Sequence, residues 1–116
     1  MLTGRVYDAH DDGTTRVLVD RLWPRGVRRD DPRVGVWLPA VAPSTELRHW
    51  YGHDPAKHDE FVHRYEAELA TEEGRAALDE LARLARDQPV TLVTATKDVA
   101  LSHLPVVARE VDRLLR

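Results

Sequence analysis

The chain contains no cysteine, which excludes disulfides, thiol nucleophiles and thiolate-bound metals and fits a reducing cytoplasm. Lysine is almost as scarce. Of 17 basic residues only Lys57 and Lys97 are lysines, so arginine is the default cation here and Lys97 carries more information than any single arginine. No apolar run approaches the roughly 18 residues a membrane span needs. The stretch Met1-Leu2-Thr3-Gly4-Arg5 lacks the apolar core of a signal peptide, and no membrane role is expected. Neither Gly-x-Gly-x-x-Gly nor a P-loop is present, which disfavours nucleotide cofactors held in those ways. No Gly-x-Ser-x-Gly elbow surrounds Ser44, so Ser44 reads as a helix cap rather than a nucleophile. His-Glu-x-x-His is also missing. Only His49 and His53 have helical ligand spacing, with Gly52 between them, and no metal site is expected. Nor is there an excess of positive charge: the net charge of -3 argues against a general nucleic-acid binder.

What is present fits one globular domain, 1–116. The 116 residues are 42% hydrophobic and 32% charged, enough to bury a core without staples. Strands are expected at 5–7, 16–23 and 90–95, with a turn at Asp11-Asp12-Gly13. Val17 and Val19 fall on one face of the second strand and Leu18 and Leu22 on the other, the pattern of a strand covered on both sides. Ser44 caps a short helix that Gly52 stops, Asp54-Pro55 opens a second, and Thr71 caps a third. Leu104, Val107, Val111 and Leu114 mark a last helix over 102–115, where Pro105 is tolerated near the start. This order predicts an α/β fold, a small three-layer-like domain with a short, mostly parallel sheet flanked by helices. A crossover from strand 16–23 through helices to strand 90–95 sets these two strands side by side and parallel.

Charge follows directly on both long apolar strands. Val17-Leu18-Val19 runs into Asp20, Arg21, Trp23, Arg25 and Gly26, and the strand 90–95 runs into Lys97-Asp98. In parallel sheets ligands gather at the carboxyl ends of strands, which puts these groups at one rim. Arginine offers a planar fork of donors for carboxylate or phosphate and lysine a point charge. Arg21, Arg25, Arg48, Arg64 and Lys97 are therefore the candidate anion ligands, with Trp23 and Trp50 as candidate pocket walls. Asp20, Asp98 and His53 are the candidate proton-transfer groups. The competing reading pairs each arginine with Asp20, Asp54, Asp98 or Glu46 to lock loops onto the sheet. Asp20 and Arg21 point to opposite sides of a strand and do not neutralise each other, so Asp20 needs Lys97, Arg25 or the amides of the Pro24–Gly26 turn.

Val-Leu-Val-Asp-Arg-Leu-Trp-Pro-Arg-Gly at 17–26, Ala-Pro-Ser-Thr-Glu-Leu-Arg at 42–48, Trp-Tyr-Gly-His-Asp-Pro at 50–55 and Lys-Asp at 97–98 resemble the bacterial family called domain of unknown function 488 (DUF488), in its YeaO-like branch. The resemblance covers nearly the whole chain and implies a compact cytoplasmic α/β domain. It also marks Asp20, Arg21, Trp23, Pro24, Arg25, Gly26, Pro43, Ser44, Leu47, Arg48, Trp50, His53, Asp54, Pro55, Phe61, Arg64, Tyr65, Lys97 and Asp98. It supplies no substrate and leaves the cofactor unknown. Where such relatives carry a His-Asn pair after Lys-Asp, this chain has Leu101-Ser102, with His103 nearby, and Pro39 stands where lysine is common. The expected function is a cytoplasmic protein with a pocket for a small phosphate- or carboxylate-bearing molecule. The alternative is a non-catalytic binding or regulatory module that contacts nucleic acid through the arginines of 16–33, or a protein partner through Trp23 or Trp37.

Overall fold

A computed structural model describes residues 1–8 and 13–116. Asp11 and Asp12 of the expected turn lie outside the described residues; Gly13 has a positive φ of 74°. The four strands are β1 (Leu2–Arg5), β2 (Thr15–Leu18), β3 (Val36–Trp37) and β4 (Val90–Thr94). They form one sheet of order β1-β4-β2-β3, parallel throughout. The crossover reading holds: Val17 lies opposite Leu92 and Leu18 opposite Val93.

Two strands differ from expectation. The first lies at 2–5 rather than 5–7, although the Val6 amide still donates to the Thr94 carbonyl at 2.8 Å. The second ends at Leu18 instead of reaching Trp23. Beyond it the chain turns away, and Leu22 is 60% exposed rather than packed beside Leu18. β3 had no strand signal, because two residues give no alternation to read.

The two faces of the sheet are covered differently. Val17, Val19, Val90 and Leu92 pack against α1 (Thr45–Tyr51), α2 (His58–Leu69), α3 (Glu72–Asp87) and α4 (Leu104–Leu115) in the main core. On the other face, Val6, Leu18 and Val93 meet Tyr7, Trp23, Val34 and Trp37, so loop residues and indoles replace a helical layer there.

Helix ends follow local chemistry. Ser44 Oγ accepts the Leu47 amide at 3.1 Å, and Gly52 closes α1 at φ 54°. Asp54 caps a 3-10 turn at Pro55–Lys57 rather than α2 itself, accepting the Ala56 amide at 3.0 Å. Thr71 accepts the Gly74 amide at 3.1 Å. A Cβ on Gly74 would fall 2.4 Å from the Glu68 carbonyl oxygen, so the close approach of α3 to the end of α2 requires glycine. Among the described residues no helix is long and apolar enough to cross a membrane.

Candidate functional site

The segments leaving β1, β2 and β4 at their carboxyl ends frame a cavity of about 930 Å³ together with residues of α1. Eight of the ten candidate ligand, wall and proton-transfer residues border it: Asp20, Arg21, Trp23, Arg25, Arg48, His53, Lys97 and Asp98. Arg25, His53, Lys97 and Asp98 are exposed, while Asp20, Arg21, Trp23 and Arg48 are half-buried. His53 has a φ of 58°, the single positive φ on a non-glycine among the described residues. Trp50 and Arg64 are not at this rim. The Arg64 guanidinium stacks 4.1 Å from the Trp50 ring centre and pairs with Glu60 at 2.9 Å, one turn away on α2. Lys57 lies over the same indole and donates to the Trp50 carbonyl at 3.0 Å. The spacing that put Trp50 beside the polar motif fixed its neighbours in sequence, not the side of α1 it occupies.

The acids of the cavity are held by neutral groups. Asp20 Oδ1 accepts the Thr94 hydroxyl at 2.7 Å, and Oδ2 accepts the Ala95 amide at 2.7 Å. Its partner is thus the end of β4, not Lys97, Arg25 or the Pro24–Gly26 turn. Asp98 caps a 3-10 turn through the Leu101 amide at 3.4 Å. Next to Asp20 lies buried His103. Its Nε2 is 2.7 Å from the Val19 carbonyl and 3.4 Å from Asp20 Oδ1. A carbonyl only accepts, so Nε2 carries the hydrogen. Burial pushes the His103 pKa down although the Asp20 charge pulls it up, so the ring is neutral at pH 7.

The cations are left without acids. Among the described residues, no carboxylate lies within 4.0 Å of Arg21, Arg25, Arg48 or Lys97. The reading in which Asp20, Asp54, Asp98 and Glu46 neutralise them does not describe the molecule. Arg21 donates through Nη2 to the Ala42 carbonyl at 2.8 Å, while its buried Nε has no partner. That orphaned donor is costly in a folded interior.

A family model described as "Inactive DUF488-N3 subclade" matches residues 1–116. The chain belongs to the inactive DUF488-N3 subclade. The uncharacterized protein Rv3073c of Mycobacterium tuberculosis is 54% identical over 106 residues, which cover 90% of this chain and 87% of that protein. The uncharacterized protein YeaO of Escherichia coli is 39% identical over 105 residues, 90% of each chain. No solved structure matches.

In this DUF488-N3 chain the two positions that depart from the His-Asn pattern have structural tasks. The Leu101 carbonyl accepts the Tyr51 hydroxyl at 2.7 Å. Ser102 Oγ donates to the Val99 carbonyl at 2.7 Å and accepts the Leu104 amide at 3.1 Å at the start of α4. Among the described residues no group of three or more His, Asp or Glu is arranged to hold a metal ion.

The arginine-rich stretch is partly self-neutralised. Arg33 grips Asp31 with two hydrogen bonds of 3.1 and 2.8 Å, which holds the Asp31 pKa down at about 2. Arg28 lies 3.5 Å from Asp30. Arg16 is buried and donates to the carbonyls of Arg33, Arg5, Val6 and Asp8, tying this stretch to the end of β1. Sequence reading missed Arg16, Tyr7 and Tyr51. A charged residue opening an otherwise apolar strand was the available signal for Arg16. Tyr51 lay inside the motif at 50–55, and Tyr7 had no signal, because only the tertiary fold brings it to the cavity.

Proposed function

We propose that this protein is a non-catalytic binder of a small phosphate- or carboxylate-bearing molecule, held in the cavity at the strand ends by Arg21, Arg25, Arg48 and Lys97. The observation that carries this reading is the gathering of four cations at one cavity with no carboxylate partner among the described residues. Like charges that line one cleft repel one another, and an arriving anion relieves that repulsion. Arg21 and Arg48 supply planar forks from the half-buried wall, and Arg25 and Lys97 supply charge at the exposed mouth. A cytoplasmic location belongs to the same proposal.

Three features favour binding without turnover. Both Asp20 oxygens already accept hydrogen bonds from the fold, so this carboxylate is not a free base for a substrate proton. His103 spends its Nε2 hydrogen on Val19. The family description itself reads "inactive".

The test is thermal unfolding at low ionic strength with inorganic phosphate, citrate and a phosphate monoester. A ligand at a hundred times its Kd stabilises the fold by about 2.7 kcal/mol, so a rise in Tm of several degrees is expected. Arg21→Ala and Lys97→Ala each abolish most of that rise. An unchanged Tm with every anion, in wild type and variants alike, would remove the proposal.

A further inference from the structure

We infer that the occupant of this cavity carries a planar ring beside its phosphate, so that it is of nucleoside monophosphate type rather than a bare inorganic or sugar phosphate. The inference rests on the anion-binding reading and goes on to name the ligand class. A volume of about 930 Å³ is at the upper end of the range that encloses drug-sized molecules, far more space than one phosphate group fills.

Tyr7, Trp23, Tyr51 and Phe61 border that space, and of these Trp23 and Tyr7 are half-buried rather than buried. Trp23 is pinned by its Nε1 hydrogen to the Val27 carbonyl at 2.6 Å and meets Trp37 edge-on with ring centres 5.5 Å apart. Tyr7 is pinned by its hydroxyl to the Arg25 carbonyl at 2.9 Å. Each ring has a guanidinium stacked on it: Arg29 lies 4.8 Å from the Trp23 centre and Arg5 lies 5.2 Å from that of Tyr7. Neither Arg5 nor Arg29 is among the residues lining the cavity, whereas Tyr7 and Trp23 are. In the proposed arrangement the cavity side of each ring is the face opposite its guanidinium.

A ring fixed in place by hydrogen bonds, backed by a cation and only half-buried is a stacking surface whose ordering cost has already been met. Arg25 links the two chemistries. Its carbonyl holds Tyr7 and its residue borders the cavity two positions beyond Trp23, so the cationic mouth and the aromatic wall belong to one short segment. Stacking uses the π face that every base presents, so the site discriminates ring from no ring more than one base from another.

Calorimetric titration of the whole protein at fixed low salt decides the matter, with inorganic phosphate, ribose 5-phosphate, adenosine 5′-monophosphate and uncharged adenosine as probes. The nucleotide is expected to bind at least tenfold more tightly than ribose 5-phosphate, a gap in the range that single stacking contacts supply. Trp23→Leu should erase the gap and leave ribose 5-phosphate affinity within about twofold, while Trp23→Phe, which restores a ring, should recover most of it. Equal affinity for nucleotide and ribose 5-phosphate, or a gap that survives in Trp23→Leu, overturns the ring and leaves the anion site standing. Tight binding of adenosine with no contribution from phosphate overturns the anion reading instead. Absence of binding by all four probes overturns both.

Discussion

At the scale of single residues, the decisive side chain is Asp20. Read from its neighbours in sequence it is an acid among arginines; in the fold it is a brace across the sheet, joining the end of β2 to the end of β4 through Thr94 and Ala95. Its two oxygens accept the Thr94 hydroxyl and the Ala95 amide, and the His103 ring lies 3.4 Å from Oδ1. In Asp20→Asn the amide oxygen can still accept from Ala95, but the NH2 then faces the Thr94 hydroxyl, which must give up the bond it donates, and both charge-assisted bonds are lost. A loss of about 1–3 kcal/mol in urea unfolding is expected; an unchanged midpoint would mean that the carboxylate is not structural. His103 adds a pH dependence whose sign follows from its lowered pKa. The unfolded chain takes up a proton near pH 6.5 and the folded chain only at lower pH, so the stability due to a neutral ring is complete above about pH 6.5 and is lost as pH falls below it. The groups that bear on the ring are Asp20 at 3.4 Å and the edge-on ring of Tyr65. His103→Gln, which retains a donor for Val19, should flatten the stability profile between pH 7.5 and 5.5. An identical slope in wild type and variant would assign that pH dependence to other groups.

At the scale of elements, both ends of α1 and the start of α3 were legible, whereas the start of α2 and the strand ends were not. Caps are local: Ser44, Gly52 and Thr71 act on amides or carbonyls within four positions, and their residue types declare it. Strand limits depend on a partner elsewhere in the chain. Just beyond the end of β2, Asp20 braces the end of β4 and Arg21 reaches the Ala42 carbonyl, and neither contact is visible in the alternation of apolar residues. Glu68 shows the same limit. It lies on α2 yet accepts both the Ser44 amide at 2.8 Å and the Ser44 hydroxyl at 2.6 Å, locking the start of α1 to another helix. Gly74 gives a direct test of how tightly α2 and α3 are joined. Alanine is the better helix former by about 1 kcal/mol, but here its Cβ meets unyielding backbone at 2.4 Å. Gly74→Ala is expected to cost about 1–3 kcal/mol net, read as a fall in Tm. A gain would mean that the junction relaxes freely.

At the scale of the whole molecule, the parallel pairing of β2 with β4 was readable because a long helical crossover between two apolar runs leaves few other topologies. That pairing brought Asp20, Arg21, Arg25, Lys97 and Asp98 to one cavity. The remainder was hidden because it depends on rotation about helix axes and on contacts across tens of residues. Arg48 and Trp50 share α1, yet only Arg48 borders the cavity. The position of β4 in the sheet has a consequence for synthesis. It lies between β1 and β2, so the two strands made first have no common neighbour until the residues from Val90 to Thr94 emerge. A nascent chain thus reaches most of its length with a gap at the centre of its sheet, and the keystone arrives late. A chain stopped after Pro89 should unfold without a cooperative transition, and supplying the missing segment as a separate peptide should restore one. Whatever meets this protein on the ribosome meets an open β edge on either side of that gap.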